Sequence, residues 1–128
     1  MHNHNDHSDL VKGFVESQKE VFDSSDQAMY VFLDDDSRAC NEKFAQLLGY
    51  SSADEWMKVD VKGAFPSVFV DGKSQETLVS SYQKVMEKKT ASSFKVTWKK
   101  KTGGTVDTTV ILIPVVYQDH LFALHFVS

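Results

Sequence analysis

The final third of the chain consists of three strand-forming stretches separated by two turn signals, and this limits the fold more than anything before it. Over residues 93–101 apolar and polar residues alternate, with Phe94, Val96 and Trp98 on one side and Lys95, Thr97 and Lys99 on the other. Thr102-Gly103-Gly104-Thr105 is a hairpin signal. Residues 106–117 and 120–127 are two further strands, joined around Gln118-Asp119. The three form an antiparallel meander.

Two-residue turns are the commonest way to close such hairpins. They would set Trp98 opposite Thr109, Val96 opposite Ile111 and Phe94 opposite Ile113. Across the second turn Val115 would meet Phe122, Ile113 would meet Leu124, and Ile111 would meet Phe126. All of these residues then share one face, which is predicted to be the core. The other face holds Val110, Leu112, Leu121, Ala123, His125 and Val127. It is too apolar for water, so the N-terminal helix or a second subunit is expected to cover it.

Upstream the pattern is mostly helical. Leu10, Val11, Phe14, Val15, Gln18, Val21 and Phe22 recur at spacings of three and four, which predicts one amphipathic helix from Ser8. Residues 28–33 and 37–40 read as two short strands around the turn Asp34-Asp35-Asp36-Ser37. Asn41 suits the cap of a short helix holding Phe44, Leu47 and Leu48, with Gly49 at its end. Ser52 and Glu55 have capping-box spacing and open a second short helix through Trp56 and Met57. Residues 58–73 read as irregular, broken by Gly63, Pro66 and Gly72. Residues 74–89 form the clearest long helix, with Leu78, Tyr82, Val85 and Met86 on one face.

A chain of 128 residues without repeats or a linker is one domain. Residues 1–8 are expected to be a disordered tail, 9–25 an N-terminal cap helix and 26–128 the core domain. His2, His4 and His7 read as part of a flexible tail or tag remnant rather than a metal site, and no metal is expected. The 14 Lys and Arg against 18 Asp and Glu give a net charge of −4, which speaks against nucleic acid as a partner. No stretch approaches the roughly 20 apolar residues of a membrane span. A single cysteine, Cys40, fits a reducing compartment. A cytoplasmic domain is expected, with a parent protein that is free to be membrane-anchored.

The order of helix, two strands, short helices, long helix and three-strand meander resembles that of PAS domains. Asn41-Glu42-Lys43-Phe44-Ala45-Gln46-Leu47-Leu48-Gly49-Tyr50-Ser51, with Glu55 following, is similar to the family's N-x-x-F-x-x-L-L-G-Y-S stretch. Val21-Phe22-Asp23-Ser24-Ser25 resembles the usual entry into the first strand. Lys101-Thr102-Gly103-Gly104-Thr105 resembles the family's K-D-G-x hairpin. Two features depart from the pattern. The first turn carries Asp34-Asp35-Asp36 where Gly is usual, and the chain stops at Phe126-Val127-Ser128, where a D-I-T motif and an output domain normally follow. The resemblance implies an α+β fold: a five-stranded antiparallel sheet, short helices and one long helix on one face, and an N-terminal amphipathic helix. It also implies a non-catalytic sensory or dimerisation module cut from a regulator such as a sensor histidine kinase of a two-component phosphorelay.

Haem-binding members generally use a His on the long helix, and no His occurs between His7 and His120. Flavin-photoadduct members carry a Cys within an N-C-R-F-L-Q-like motif, which is absent, and Cys40 precedes Asn41 instead. No cofactor is therefore expected. Non-covalent flavin, with Trp56 and Trp98 as stacking partners, or a small organic ligand stays open. The candidate cavity is Phe44, Leu48, Tyr82, Phe94, Val96, Trp98, Thr109, Ile111, Ile113 and Leu124. The candidate homodimer interface is Phe14, Val110, Leu112, Leu121, Ala123 and His125. The competing reading is a stand-alone small-molecule-binding protein or a cone-shaped α+β enzyme, which should place an Asp or His inside its cavity.

Overall fold

The computed structural model describes the backbone of residues 3–33 and 37–128, with side chains from Asp9 onward. In chain order the elements are α1 (Asn3–Ser17), α2 (Lys19–Ser24), β1 (Ala28–Phe32), β2 (Arg38–Cys40), α3 (Glu42–Leu47), α4 (Ala53–Met57), α5 (Phe65–Phe69), α6 (Gly72–Lys88), β3 (Ser92–Lys99), β4 (Thr105–Tyr117) and β5 (His120–Val127). The strands form one antiparallel sheet in the order β2-β1-β5-β4-β3. The acidic turn at residues 34–36 and the side chains of His2, His4 and His7 lie outside the described residues.

The second hairpin has the expected register: Val115 faces Phe122, Ile113 faces Leu124 and Ile111 faces Phe126. Gln118 and Asp119 both take positive φ, 53° and 62°, as a tight two-residue turn between right-twisted strands requires. The first hairpin differs. Trp98 lies opposite Val106, Val96 opposite Thr108 and Phe94 opposite Val110. The loop between the strands is longer than two residues, because Lys100 N donates to Gly104 O at 3.1 Å and Gly103 N to Lys100 O at 3.0 Å. Lys101 N donates to Leu48 O at 2.8 Å, which anchors the loop on the end of α3. Inside the ladder Trp98 Nε1 donates to Thr108 Oγ1, which donates to Val96 O, each at 2.9 Å.

A shift by an odd number of residues turns a strand over. Val110, Leu112, Ala123, His125 and Val127 therefore lie on the same face as Phe94, Val96 and Trp98, and all five are buried. This inner face is covered by α3, α4, α5 and α6. Tyr30, Phe44, Trp56, Phe65, Phe69 and Trp98 make the aromatic centre of its core. The opposite face, with Phe122, Leu124 and Phe126, is the one that the N-terminal helices cover, through Val11, Phe14 and Phe22. Phe14 stacks on Phe122 with centroids 5.0 Å apart, and Gly13 lets the helix pass close beside the Tyr117 hydroxyl.

The N-terminal stripe is split, with α1 ending at Ser17 and α2 starting at Lys19. Helical backbone begins at Asn3, earlier than Ser8, since residues 3–8 contain neither Gly nor Pro to stop it. Asn41 ties two elements together. Its Oδ1 accepts from Phe44 N at 3.0 Å as the α3 cap and from Met29 N at 3.1 Å, while its Nδ2 donates to Gln27 O at 2.9 Å. Ser52 Oγ caps α4 through Glu55 N at 3.1 Å, and the Glu55 carboxylate reaches back to Ser51 N at 2.7 Å. The stretch read as irregular contains α5, where Pro66 sits at the helix start; the ring fixes the φ that a first turn needs. Asp71 caps α6, and Ser74 Oγ in its first turn accepts from Thr97 N at 2.9 Å.

Candidate functional site

A cleft of about 240 Å³ opens between the inner face of the sheet and helices α5 and α6. Its floor is Tyr30 and Phe32 from β1 and His125 from β5; its walls are Phe65 and Pro66 from α5 and Leu78, Val79, Tyr82 and Gln83 from α6. The floor follows from strand alternation, which sends Tyr30, Phe32 and His125 to one side of paired strands. The helical wall follows from spacing: residues 78, 79, 82 and 83 share one face of α6.

The His125 and Tyr30 rings stack with centroids 3.9 Å apart and planes 10° apart. His125 Nδ1 lies 3.1 Å from Ala123 O, so that nitrogen carries the proton and donates to the carbonyl. Burial lowers the imidazole pKa to about 3, and the ring is neutral near pH 7. The Tyr30 hydroxyl is pushed well above its ordinary range by burial, and its Oη has no hydrogen-bond partner among the described residues. Phe32 meets Phe65 and Tyr82 edge-on, at 5.4 and 5.8 Å. No Asp, Glu, Lys or Arg lines the cleft among the described residues.

Of the ten residues chosen from sequence as a cavity, Tyr82 lines the cleft. Phe44, Leu48, Val96 and Trp98 are fully enclosed in the neighbouring aromatic core, and Phe94 packs near Tyr82 and Met86. Thr109, Ile111, Ile113 and Leu124 are on the opposite face, because the first hairpin is offset from the two-residue turn. For the same reason Val110, Leu112 and Ala123 are core residues, His125 is in the cleft floor, and Leu121 is half-buried on the inner side. Phe14 is buried within its own chain. Tyr30, Phe32, Phe65, Pro66, Val79 and Gln83 line the cleft but lie outside the site that the sequence predicts. The aromatic alternation of Tyr30 and Phe32 in the first strand was the available signal for two of them.

Arg38 on β2 is buried among the rings of Trp56, Phe69 and Phe65, at 4.9, 5.3 and 5.9 Å from their centroids. Its Nη2 donates to Trp56 O at 3.0 Å and Val59 O at 2.7 Å, which fixes the segment between α4 and α5. Burial, the larger effect beside Glu42, pushes the Cys40 thiol up, so it is no nucleophile near neutral pH. No metal-holding group of His, Cys, Asp and Glu occurs among the described residues, and no described helix is long and apolar enough to cross a membrane.

Comparison with known proteins gives a consistent picture. No curated protein sequence matches the chain significantly. The fold is that of many solved PAS domains. One, from a two-component sensor histidine kinase, is 14% identical with a TM-score of 0.64, the match covering 91% of this chain and 96% of that one. A PAS domain from Colwellia psychrerythraea is 15% identical with a TM-score of 0.68, covering 90% and 95%. The PAS domain of the fruit-fly ELK potassium channel is 17% identical with a TM-score of 0.64, covering 90% and 95%. At such identities these neighbours speak for the fold alone. The sequence profile described as PAS domain matches residues 16–81, from α1 through most of α6 and including two of the five strands. This chain belongs to the PAS domain family.

Proposed function

We propose that this PAS domain is a sensory module whose signal is a small molecule held in the cleft between α5, α6 and the sheet. One observation carries the reading: the chain fills its core with large aromatics yet leaves an apolar cleft of about 240 Å³ open beside it, lined by Tyr30, Phe65, Tyr82 and His125 among others. An apolar cleft left open to water gains by being covered, which a bound apolar molecule would do. A ligand that prefers one arrangement of α6 against β5 would shift the populations of two arrangements, which is what a regulatory domain must transmit. The output domain is proposed to be a histidine kinase or a similar regulator, in keeping with the kinase origin of one structural neighbour.

The volume lies under the roughly 300 Å³ at which cofactor-sized sites begin, which favours a small organic ligand over flavin or haem. The enzyme alternative finds little support, because the cleft lining offers no carboxylate and its one imidazole, with a pKa lowered by burial to about 3, is too weak a base near neutral pH. A homodimer is part of the proposal, through residues other than those the sequence predicts. Ile111, 43% exposed on the outer face, is where the contact with a second copy is proposed.

Native mass spectrometry of the freshly purified protein, beside a denatured control, tests the reading. A mass excess that vanishes on denaturation, and that is lost when Val79→Trp blocks the cleft rim, supports it. A bare chain that takes up no small molecule from a library in either form sinks it. A bare dimer that Ile111→Asp turns into monomer would leave assembly as the function.

A further inference from the structure

The cleft chemistry is specific enough to narrow the class of ligand, an inference that rests on the sensory reading above. Five of the nine lining side chains are aromatic rings, counting the imidazole: Tyr30, Phe32, Phe65, Tyr82 and His125. Rings of this kind present faces and edges that favour a flat, polarisable partner. The space exceeds the roughly 150 Å³ that holds one benzene and, at about 240 Å³, leaves room for a second fused ring.

Charge is excluded on physical grounds. No ionised side chain lines the cleft among the described residues, so a carboxylate or ammonium group brought inside would have no counter-charge. His125 does not supply one, because its ring is enclosed and neutral. With the Nδ1 proton directed to Ala123 O, Nε2 is the acceptor of the ring. The rim, where Pro66, Val79 and Gln83 also border a neighbouring surface groove, is the route of entry.

We propose that the cleft takes a neutral, planar molecule of one or two fused rings that donates one hydrogen bond to His125. Three probes separate the elements of this assignment: indole, benzothiophene (the same shape without the N–H) and indole-3-carboxylate (the same rings with a charge). Binding to the full chain is followed by calorimetry and by amide chemical shifts. Indole should bind with shifts centred on Phe65, Tyr82 and His125, and the carboxylate should bind roughly tenfold or more weakly, for want of a counter-charge. His125→Phe should weaken indole several-fold while leaving benzothiophene unchanged. Val79→Trp and, at a second rim position, Gln83→Trp should both abolish binding in folded protein.

Equal affinity for indole and its carboxylate, with the same shifts, would overturn the neutral-ligand assignment while leaving the cleft as the site. Equal weakening of indole and benzothiophene by His125→Phe would overturn the hydrogen-bond assignment. If no probe binds, or binding persists in both rim variants, the cleft itself is not the sensing site and the underlying functional reading falls with it.

Discussion

Trp98 Nε1 donates to the Thr108 hydroxyl at 2.9 Å, and the same hydroxyl donates to Val96 O across the β3–β4 ladder. Both residues are buried, so the pair fixes which residues of β4 stand opposite β3 in the interior. Thr108→Val keeps the shape and removes both bonds, leaving the indole N–H and the Val96 carbonyl without this partner. The expected loss is about 1–3 kcal/mol, read as a lower denaturant midpoint with an unchanged slope. No measurable loss would mean that the register is held by the loop alone.

The imidazole of His125 makes stability depend on acidity. Burial lowers its pKa from 6.5 to about 3, so between these values the unfolded chain binds a proton that the folded chain refuses. Its contribution is complete above pH 6.5 and falls with decreasing pH by about 1.4 kcal/mol per unit. Urea midpoints measured from pH 7 down to pH 4.5 should follow this slope in the native protein and flatten in His125→Phe.

Glu55 has the same sense at lower pH. Hydrogen bonds from Lys101 Nζ, then from the Ser51 backbone and hydroxyl, hold its carboxyl down at about 2, against an ordinary 4.5. Its share of stability is therefore present above pH 4.5 and is lost as pH falls towards 2. Carboxyl chemical shifts should place the Glu55 midpoint near 2, and Lys101→Ala should raise it part of the way back, since the Ser51 bonds persist.

Tyr30 carries an enclosed hydroxyl with no partner among the described residues. Removing a buried, unsatisfied polar group relieves its desolvation penalty, so Tyr30→Phe should stabilise the protein by about 1 kcal/mol. Thermal and chemical denaturation measure the sign directly. A clear destabilisation would show that the hydroxyl is hydrogen-bonded in solution.

Phe14 holds α1 on the sheet through its stack on Phe122 and its edge contact with Tyr117, at 5.0 and 5.6 Å. Phe14→Ala should cost up to about 3 kcal/mol. Amide exchange should show the loss first in α1, with protection in β4 and β5 kept. Uniform loss across the sheet would mean that α1 is integral to the core.

The sequence was most informative where chemistry is local. Asn41, Ser52 and Gly49 announced α3 and α4 because a cap is a contact between near neighbours, and Gln118-Asp119 announced a hairpin closed by its own backbone angles. The first hairpin misled because its geometry is not local. Two glycines suggested a two-residue turn, but Lys101 is tied to Leu48 and Glu55, far away in sequence, and the loop is longer for it. That single offset moved His125 from a presumed outer surface to the cleft floor and sent Ile111 outward. Pro66 reads as a breaker because no neighbouring residue marks it as the start of a helix. The cleft joins β1, β5, α5 and α6, and a periodicity within one element does not tell which others it will meet.

The strand order has a consequence for how the molecule comes together in time. β5 lies between β1 and β4, pairing Ala28 with Val127 at one end and Phe32 with Ala123 at the other. While the polypeptide is being made, the β1–β2 hairpin therefore presents an unpaired edge until residues 120–127 appear. Closing so long a loop is an entropic cost met before any contact repays it, and pairings of this span belong to folding on the scale of about milliseconds to seconds. The strand that arrives last also carries His125, so the sheet and the floor of the cleft are completed in the same step.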